Sequence, residues 1–327
     1  MRGDKKVNTF FDKLNIQIRK ASNVIIMSHR YMDLDGFGAA LGISKIAQKY
    51  GRHATIVMNF EEQDESITKA LSKVSKKVQF VFKEKEKIEE DINEKTVLII
   101  LDVHKREMLE YPDLLDKVAN VIIVDHHVKG ENMIEGTRLD FIATSASSTV
   151  EIVVDYLKKE EVKVEPATAT IMLAGMYIDT NNFNVKTSGN TFLSAAYLMD
   201  CGADNILKQE LFQENKKAFI RRQKLLKNSH MINNHMMVCT LDKNIYQRSD
   251  LAKIAEELLQ FEEVEASFVI GYIEENTVGI SSRSIGKINV EKIMKQLGGG
   301  GHKTDAAASI ENTSLAKVQE TITQILN

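Results

Sequence analysis

The chain has no tryptophan, only two cysteines and two prolines, and a net charge of just −3 over 327 residues. Cys201 and Cys239 stand far apart and outside any CxxC spacing, which excludes a disulfide framework and a thiolate metal site and fits a reducing compartment. Pro112 and Pro166 are the only prolines, so almost the whole sequence is open to helix and strand. No apolar run approaches the roughly 18 residues of a membrane span, and MRGDKKVNTF lacks a signal-peptide pattern, so a soluble, cytoplasmic chain is expected. With 43 basic against 46 acidic residues, the chain lacks the basic surface that would hold long nucleic acid, because each phosphate contact wants a Lys or Arg. A small anionic ligand needs only a local basic site.

What is present is a set of short apolar runs that end in acids and histidines. NVIIMSH stops at His29 and continues to Asp33 and Asp35; TVLIILD stops at Asp102; NVIIVDHH stops at Asp125, His126 and His127. Runs of Val, Ile and Leu unbroken by polar residues suit strands buried on both faces of a parallel sheet, and ligands of such sheets collect at the strands' carboxyl ends. Asp179 follows TIMLAGMYI and can reach the same edge from a helix. His29, Asp33, Asp35, Asp102, His126 and Asp179 then form a metal-binding set without sulfur, suited first to Mn²⁺, with Mg²⁺, Fe²⁺ or Zn²⁺ less favoured. Six ligands exceed the needs of one catalytic ion, so two ions about 3.5–4 Å apart are expected, in a site that cleaves phosphoesters. Gly36 and Gly38 permit close backbone approach where a helix begins, and its N-terminus would add donors for a phosphate.

Hydrophobic periodicity predicts a doubly wound α/β domain over 1–188. Within it, residues 7–22 carry Val7, Phe10, Phe11, Leu14 and Ile18 on one helical face, and Ser148 and Glu151 make an S-x-x-E capping box. A helical connector over 189–230 and a smaller mixed-sheet α/β domain over 231–327 follow. The strands of the last are MMVCTL, ASFVIGYI and TVGISSR, with a hairpin at Glu275-Asn276; its helices fall at 250–261, 290–297 and 314–326. In the connector, Lys216, Lys217, Arg221, Arg222, Lys224 and Lys227 read as a solvated face that can also steer an anion. Four glycines, Gly298 to Gly301, exceed what a helix cap requires; their amides suit an anion cradle, with His302 and Arg283 as neighbouring donors.

The blocks SHRYMDLDG, ILDVHK, VDHH and IDTNNF resemble, in order, the four motifs of the DHH phosphoesterase superfamily, and SSRSIG and LGGGGHKTDAA resemble those of its DHH-associated C-terminal domain. DVHK, VKGENMIE and NTVGISSRSIG look most like the catalytic module of GdpP-type cyclic-di-AMP phosphodiesterases. The resemblance implies hydrolysis of cyclic-di-AMP to linear pApA with two divalent ions. Asp102 would bridge them, His29 and Asp33 would hold one, and Asp35, His126 and Asp179 the other. Asp125 would orient a ligand histidine, and His127 would contact the phosphate or assist proton transfer. Arg283, Ser284, Gly299, Gly300, Gly301 and His302 would hold the nucleotide. A nanoRNase that also dephosphorylates pAp is the alternative enzyme, a RecJ-like exonuclease is disfavoured, and a sensor that binds without cleaving is the non-enzymatic reading. The resemblance further implies a homodimer, and the MRGDKK start fits the cytoplasmic catalytic portion of a membrane-anchored protein.

Overall fold

The computed structural model describes residues 2–59, 65–74, 81–83, 85–130 and 132–326; Glu131, in the VKGENMIE block, lies outside them. The chain divides into two compact units, Met1–Gln213 and Glu214–Asn327. The helical run expected as a connector is shared between them. Leu198, Cys201, Ala203 and Leu211 are buried in a core of the first unit, whereas Leu225 is buried in one of the second.

The first unit opens with α1 (Arg2–Lys20), whose Phe10, Phe11, Leu14 and Ile18 are buried as their spacing predicts. Then come β1 (Val24–Met27), α2 (Leu34–Lys49), β2 (Ala54–Val57), α3 (Glu65–Val74), β3 (Val81–Lys83), α4 (Lys85–Glu89), β4 (Val97–Leu101), β5 (Asn120–Asp125) and β6 (Leu139–Ile142). Four helices complete it: α5 (Thr149–Lys159), α6 (Pro166–Asp179), α7 (Gly189–Asp200) and α8 (Asn205–Phe212). The six strands form one sheet in the order β3-β2-β1-β4-β5-β6, every neighbouring pair parallel. Successive side chains go to opposite faces, which is why both faces need apolar residues. Val24, Ile26, Ile99, Leu101, Ile122 and Val124 enter one core, and Ile25, Met27, Leu98, Ile100 and Ile123 the other.

The strand order turns back between β1 and β4, the place where open α/β sheets form a ligand crevice beyond their carboxyl ends. His29 and Asp102 are delivered there. Across the same end of the sheet, α2 packs on α6 through glycine: a Cβ on Gly175 would lie 2.5 Å from the Leu34 carbonyl oxygen, and one on Gly38 2.9 Å from Met172 Cα. Gly38 therefore serves helix packing, and Gly36 faces the Ser28 side chain, so the close approach these glycines permit is to the protein itself.

The second unit contains α9 (Lys216–Leu225), β7 (Ser229–Asn233), β8 (Met236–Ile245), α10 (Arg248–Leu258), β9 (Ala266–Glu274), β10 (Thr277–Ser284), α11 (Val290–Lys295), β11 (Gly300–Gly301), β12 (Asp305–Glu311) and α12 (Leu315–Leu326). Its sheet runs β11-β12-β10-β9-β8-β7 and is mixed, β8 and β9 pairing in parallel and the other neighbours antiparallel. One face carries Val238, Phe268, Ile270, Val278 and Ile280 against Val290, Met294, Val318 and Ile322. The other carries Cys239, Leu241 and Val269 against Leu251, Ile254 and Leu258 of α10. Arg222 of the basic run is buried, with Glu214 and Glu257 accepting its guanidinium hydrogen bonds, so it is a structural ion pair and not part of a steering surface. No helix among the described residues is long and apolar enough to cross a membrane.

Candidate metal centre

Four chain segments meet at the carboxyl edge of the first sheet. After β1, His29 sends Nε2 to within 3.7 Å of Asp33 Oδ1 and 3.5 Å of Asp102 Oδ2, while its Nδ1–H donates to the Arg30 carbonyl at 2.8 Å. Asp33 is also the N-cap of α2, its Oδ1 accepting from the Asp35 and Gly36 amides. Asp102 stands just beyond β4 with φ 63°, a left-handed backbone that Asp tolerates better than most residues. Its amide continues the sheet ladder to the Val124 carbonyl, so the turn is anchored where the carboxylate leaves the strand.

Asp179 is the last residue of α6. The next turn is left-handed at Asn181, Asn182 and Phe183, with the Thr180 hydroxyl donating to the Met176 carbonyl and accepting from the Phe183 amide. The IDTNNF block is therefore a helix stop that leaves Asp179 facing the sheet edge. His126 Nε2 lies 3.0 Å from Asp179 Oδ2 and 3.4 Å from Asp102 Oδ1 yet makes no hydrogen bond, although it is buried. A buried, orphaned imidazole nitrogen among carboxylate oxygens is what a cation would satisfy.

Ligand atoms within 4.8 Å of one another fall into two groups that share Asp102: His29, Asp33 and Asp102, and Asp35, Asp102, His126 and Asp179. A third, Asp102 with His126 and His127, overlaps them. The residue chemistry fits divalent cations of the hard or borderline kind, with carboxylates and imidazoles and no thiolate. Electrostatics point the same way. Burial acts to lower the His29 and His126 imidazoles, but Asp102, Asp33 and Asp179 outweigh it and hold both well above the ordinary histidine value. Burial, then the Asp179 and Asp102 charges, raise Asp35 well above the usual carboxylate range, and burial raises Asp179. Asp102 goes the other way: the His126 and His29 imidazoles beside it overcome burial and hold it well below that range.

The ligands are supported by Thr149 and Val150, which lie outside the motif blocks, and by His104, which lies inside the DVHK block but whose role the sequence does not indicate. The N-terminus of α5 grips Asp35, whose oxygens accept from the Thr149 amide at 2.7 Å and the Val150 amide at 3.0 Å, and the Thr149 hydroxyl donates to Asp102 at 2.9 Å. Ser148 caps that helix by accepting from the Glu151 amide. The expected reciprocal bond is absent: the Glu151 carboxylate accepts instead from Ser147, through its amide and hydroxyl, and from Thr191. His104, only 2% exposed, donates from Nδ1 to Asp125. Asp125 also accepts from the His127 ring at 2.7 Å and from the His126 and His127 amides. Asp125 thus orients His127 and His104 by their rings and reaches His126 only through its backbone. His104 and His127 together overcome burial and lower the Asp125 carboxyl, while Asp125 and Asp102 overcome it in raising His127.

In the second unit, Arg283 lines a groove of about 280 Å³ with Arg248, Ser249, Ala252, Gly279 and Ser281. Ser284 sits next in the strand and so faces the other side; it is 3% exposed and its hydroxyl accepts from the Gly286 amide, which makes it a turn-holding residue beneath the surface. The glycine run also has structural duties. Gly298 and Gly299 donate to the Lys295 and Met294 carbonyls and end α11, so those two amides are not turned to a ligand. A Cβ on Gly299 or Gly301 would collide with the backbone of β12, at 2.1 Å from the Ala307 oxygen and 2.5 Å from the Asp305 oxygen respectively, whereas Gly300 has open space. His302 donates its amide to the Asp305 carbonyl, and Asp305 of β12 stands in backbone register with Arg283 of β10, whose guanidinium donates to Glu256 at 3.1 Å.

Residues 23–176 match the family model described as DHH family, N-terminal domain, and residues 233–327 match that of the DHHA1 domain. The chain is 34% identical over 310 residues to cyclic-di-AMP phosphodiesterase GdpP of Bacillus subtilis and 32% identical over 308 residues to cyclic-di-AMP phosphodiesterase PdeA of Listeria monocytogenes. Each match covers 93% of this chain and 47% of the relative, so the chain spans about half the length of the curated relatives it matches. A crystal structure of an exopolyphosphatase-related protein from Bacteroides fragilis has the same fold, with a TM-score of 0.81 at 19% identity over 97% of this chain and 96% of that one. With its motif residues gathered at one sheet edge and both family models matched in order, the chain belongs to the DHH family and carries the DHHA1 domain in its second unit.

Proposed function

We propose that this chain is a metal-dependent phosphodiesterase that hydrolyses cyclic-di-AMP to linear pApA. The observation that carries the chemistry is the pair of ligand groups joined by Asp102. His29 and Asp33 would hold one divalent ion, Asp35, His126 and Asp179 the other, and Asp102 both. Bound there, two such ions lower the pKa of water and neutralise charge on the phosphoryl oxygens. His127, half-buried and held through Nδ1 by Asp125, carries Nε2 on the opposite edge of its ring, and its raised proton affinity suits it to donate there to a phosphate oxygen. Water attacking phosphorus in line would form the new P–O bond as the bond to a ribose 3′-oxygen breaks, the proton lost by the water being balanced by one taken up at the 3′-oxygen, which gives the linear 5′-phosphate. Arg283 and His302 would hold the nucleotide.

The choice of substrate is supported by GdpP and PdeA, whose likeness extends over both units. The test is incubation with Mn²⁺ and, separately, cyclic-di-AMP, pApA and pAp, with the products resolved by chromatography. Conversion of cyclic-di-AMP to pApA, abolished by excess chelator, is expected. Cleavage of pApA and pAp with cyclic-di-AMP left intact would overturn the proposal in favour of a short-oligonucleotide nuclease. Binding of cyclic-di-AMP without turnover would make the chain a sensor.

A further inference from the structure

We propose that Tyr31 forms a stacking platform for a nucleobase at the mouth of the metal centre. The inference rests on the nucleotide substrate proposed above. Tyr31 lies midway between His29 and Asp33, so its Cα is at most about 7.6 Å from either. Its neighbours Met32 and Leu34 are fully buried, yet Tyr31 is 55% exposed. Among the described residues its ring makes no stack and its hydroxyl no hydrogen bond. An aromatic side chain left in water beside a catalytic cluster is explained by a partner with a flat face of its own.

The backbone strengthens the case. Tyr31 has φ 57°, in the left-handed region that Gly and Asn enter readily and Tyr does not. The loop is pinned on both sides of it. The Arg30 amide donates to the Met108 carbonyl at 2.7 Å, the His29 ring to the Arg30 carbonyl at 2.8 Å, and Asp33 accepts from the Asp35 and Gly36 amides. A strained residue that its surroundings fix in place, whose side chain they do not pack, is a residue held out for a ligand.

Three proteins test this: wild type, Tyr31→Phe and Tyr31→Asn, the last accepting the left-handed backbone while removing the ring. Each is assayed with Mn²⁺ on cyclic-di-AMP and on the same cyclic ribose diester lacking both bases. Tyr31→Asn should raise KM for cyclic-di-AMP about ten-fold with kcat nearly unchanged, and leave KM for the base-free diester as in wild type. Tyr31→Phe should match wild type, and neither variant should lower Tm. An unchanged KM in Tyr31→Asn, an equal loss on the base-free diester, or a loss in Tyr31→Phe as large as in Tyr31→Asn would overturn the inference. If wild type cuts linear pApA but not cyclic-di-AMP, the cyclic substrate is wrong, and the same comparison on pApA against its base-free counterpart decides Tyr31 separately. If wild type cuts no nucleotide, the functional reading and this inference both fall.

Discussion

Gly175→Ala is the sharpest perturbation of the candidate metal centre that changes none of its ligand residues. The added Cβ would lie 2.5 Å from the Leu34 oxygen, 2.7 Å from Asp35 Cα and 2.8 Å from the Asp35 nitrogen. These are backbone atoms in the first turn of α2, so no rotamer change relieves the overlap. Ordinary contact is about 3.5 Å, so α6 must withdraw from α2 by about 1 Å. One ligand, Asp35, is at the point of collision, and another, Asp179, is one helical turn further along α6. Overpacking costs about 1–3 kcal/mol while replacing a helical glycine with alanine returns about 1 kcal/mol, so the fold should survive a net loss of about 0–2 kcal/mol. Displacement on the 1 Å scale, by contrast, typically costs about 100-fold in rate. The expected result is a modest fall in Tm, bound metal reduced from two ions to one per chain by elemental analysis, and turnover of cyclic-di-AMP down about 100-fold. Gly42→Ala is the control, because the atoms nearest its Cβ are side-chain atoms of Val153 and Met172, which are not ligands. It should cost stability without costing metal. Wild-type turnover and two ions in Gly175→Ala would refute the argument that α2–α6 spacing sets the centre.

Asp102→Asn preserves size and a residue type that accepts φ 63°, and removes the charge both ligand groups share; loss of at least one ion and nearly all turnover is expected, and two ions with a rate within a few-fold of wild type would contradict the bridging role. His104→Asn places an amide donor near the position of Nδ1 and should keep the bond to Asp125, whereas His104→Gln should not, so turnover should fall about ten-fold or more only in the latter. Equal impairment of the two would mean that His104 does not act through Asp125. Metal binding should release protons and tighten as pH rises: His29 and His126 hold protons above the ordinary histidine value, and Asp35 and Asp179 above the usual carboxylate range, and each must give its proton up to a cation. Calorimetry in buffers of different ionisation enthalpy measures this, and an affinity independent of pH between about 6 and 8 would count against the ligand set.

Much of the centre is legible in the chain itself because it is built from strand ends. An unbroken apolar run declares a buried parallel strand, and the residue after it must arrive at the carboxyl edge, so His29, Asp102 and Asp125 to His127 announce a common location before any coordinates. The same local logic locates α1 from its apolar face and the hairpin at Glu275-Asn276 from its turn residues. Contacts between elements distant in sequence are not written in any local pattern. That Gly175 meets Asp35, that the start of α5 supplies the amides holding Asp35, and that His104 turns to Asp125 all depend on which helix packs where. The glycine run shows the same limit: four unhindered amides suggest a cradle, but pairing with β12 and the end of α11 decide which of them face outward. Residue type and spacing determined which chemistry this chain carries and at which edge of the sheet. Side-chain packing across the sheet and between helices decided the distances, the proton affinities and the support of each ligand, because those are set by neighbours the sequence does not place side by side.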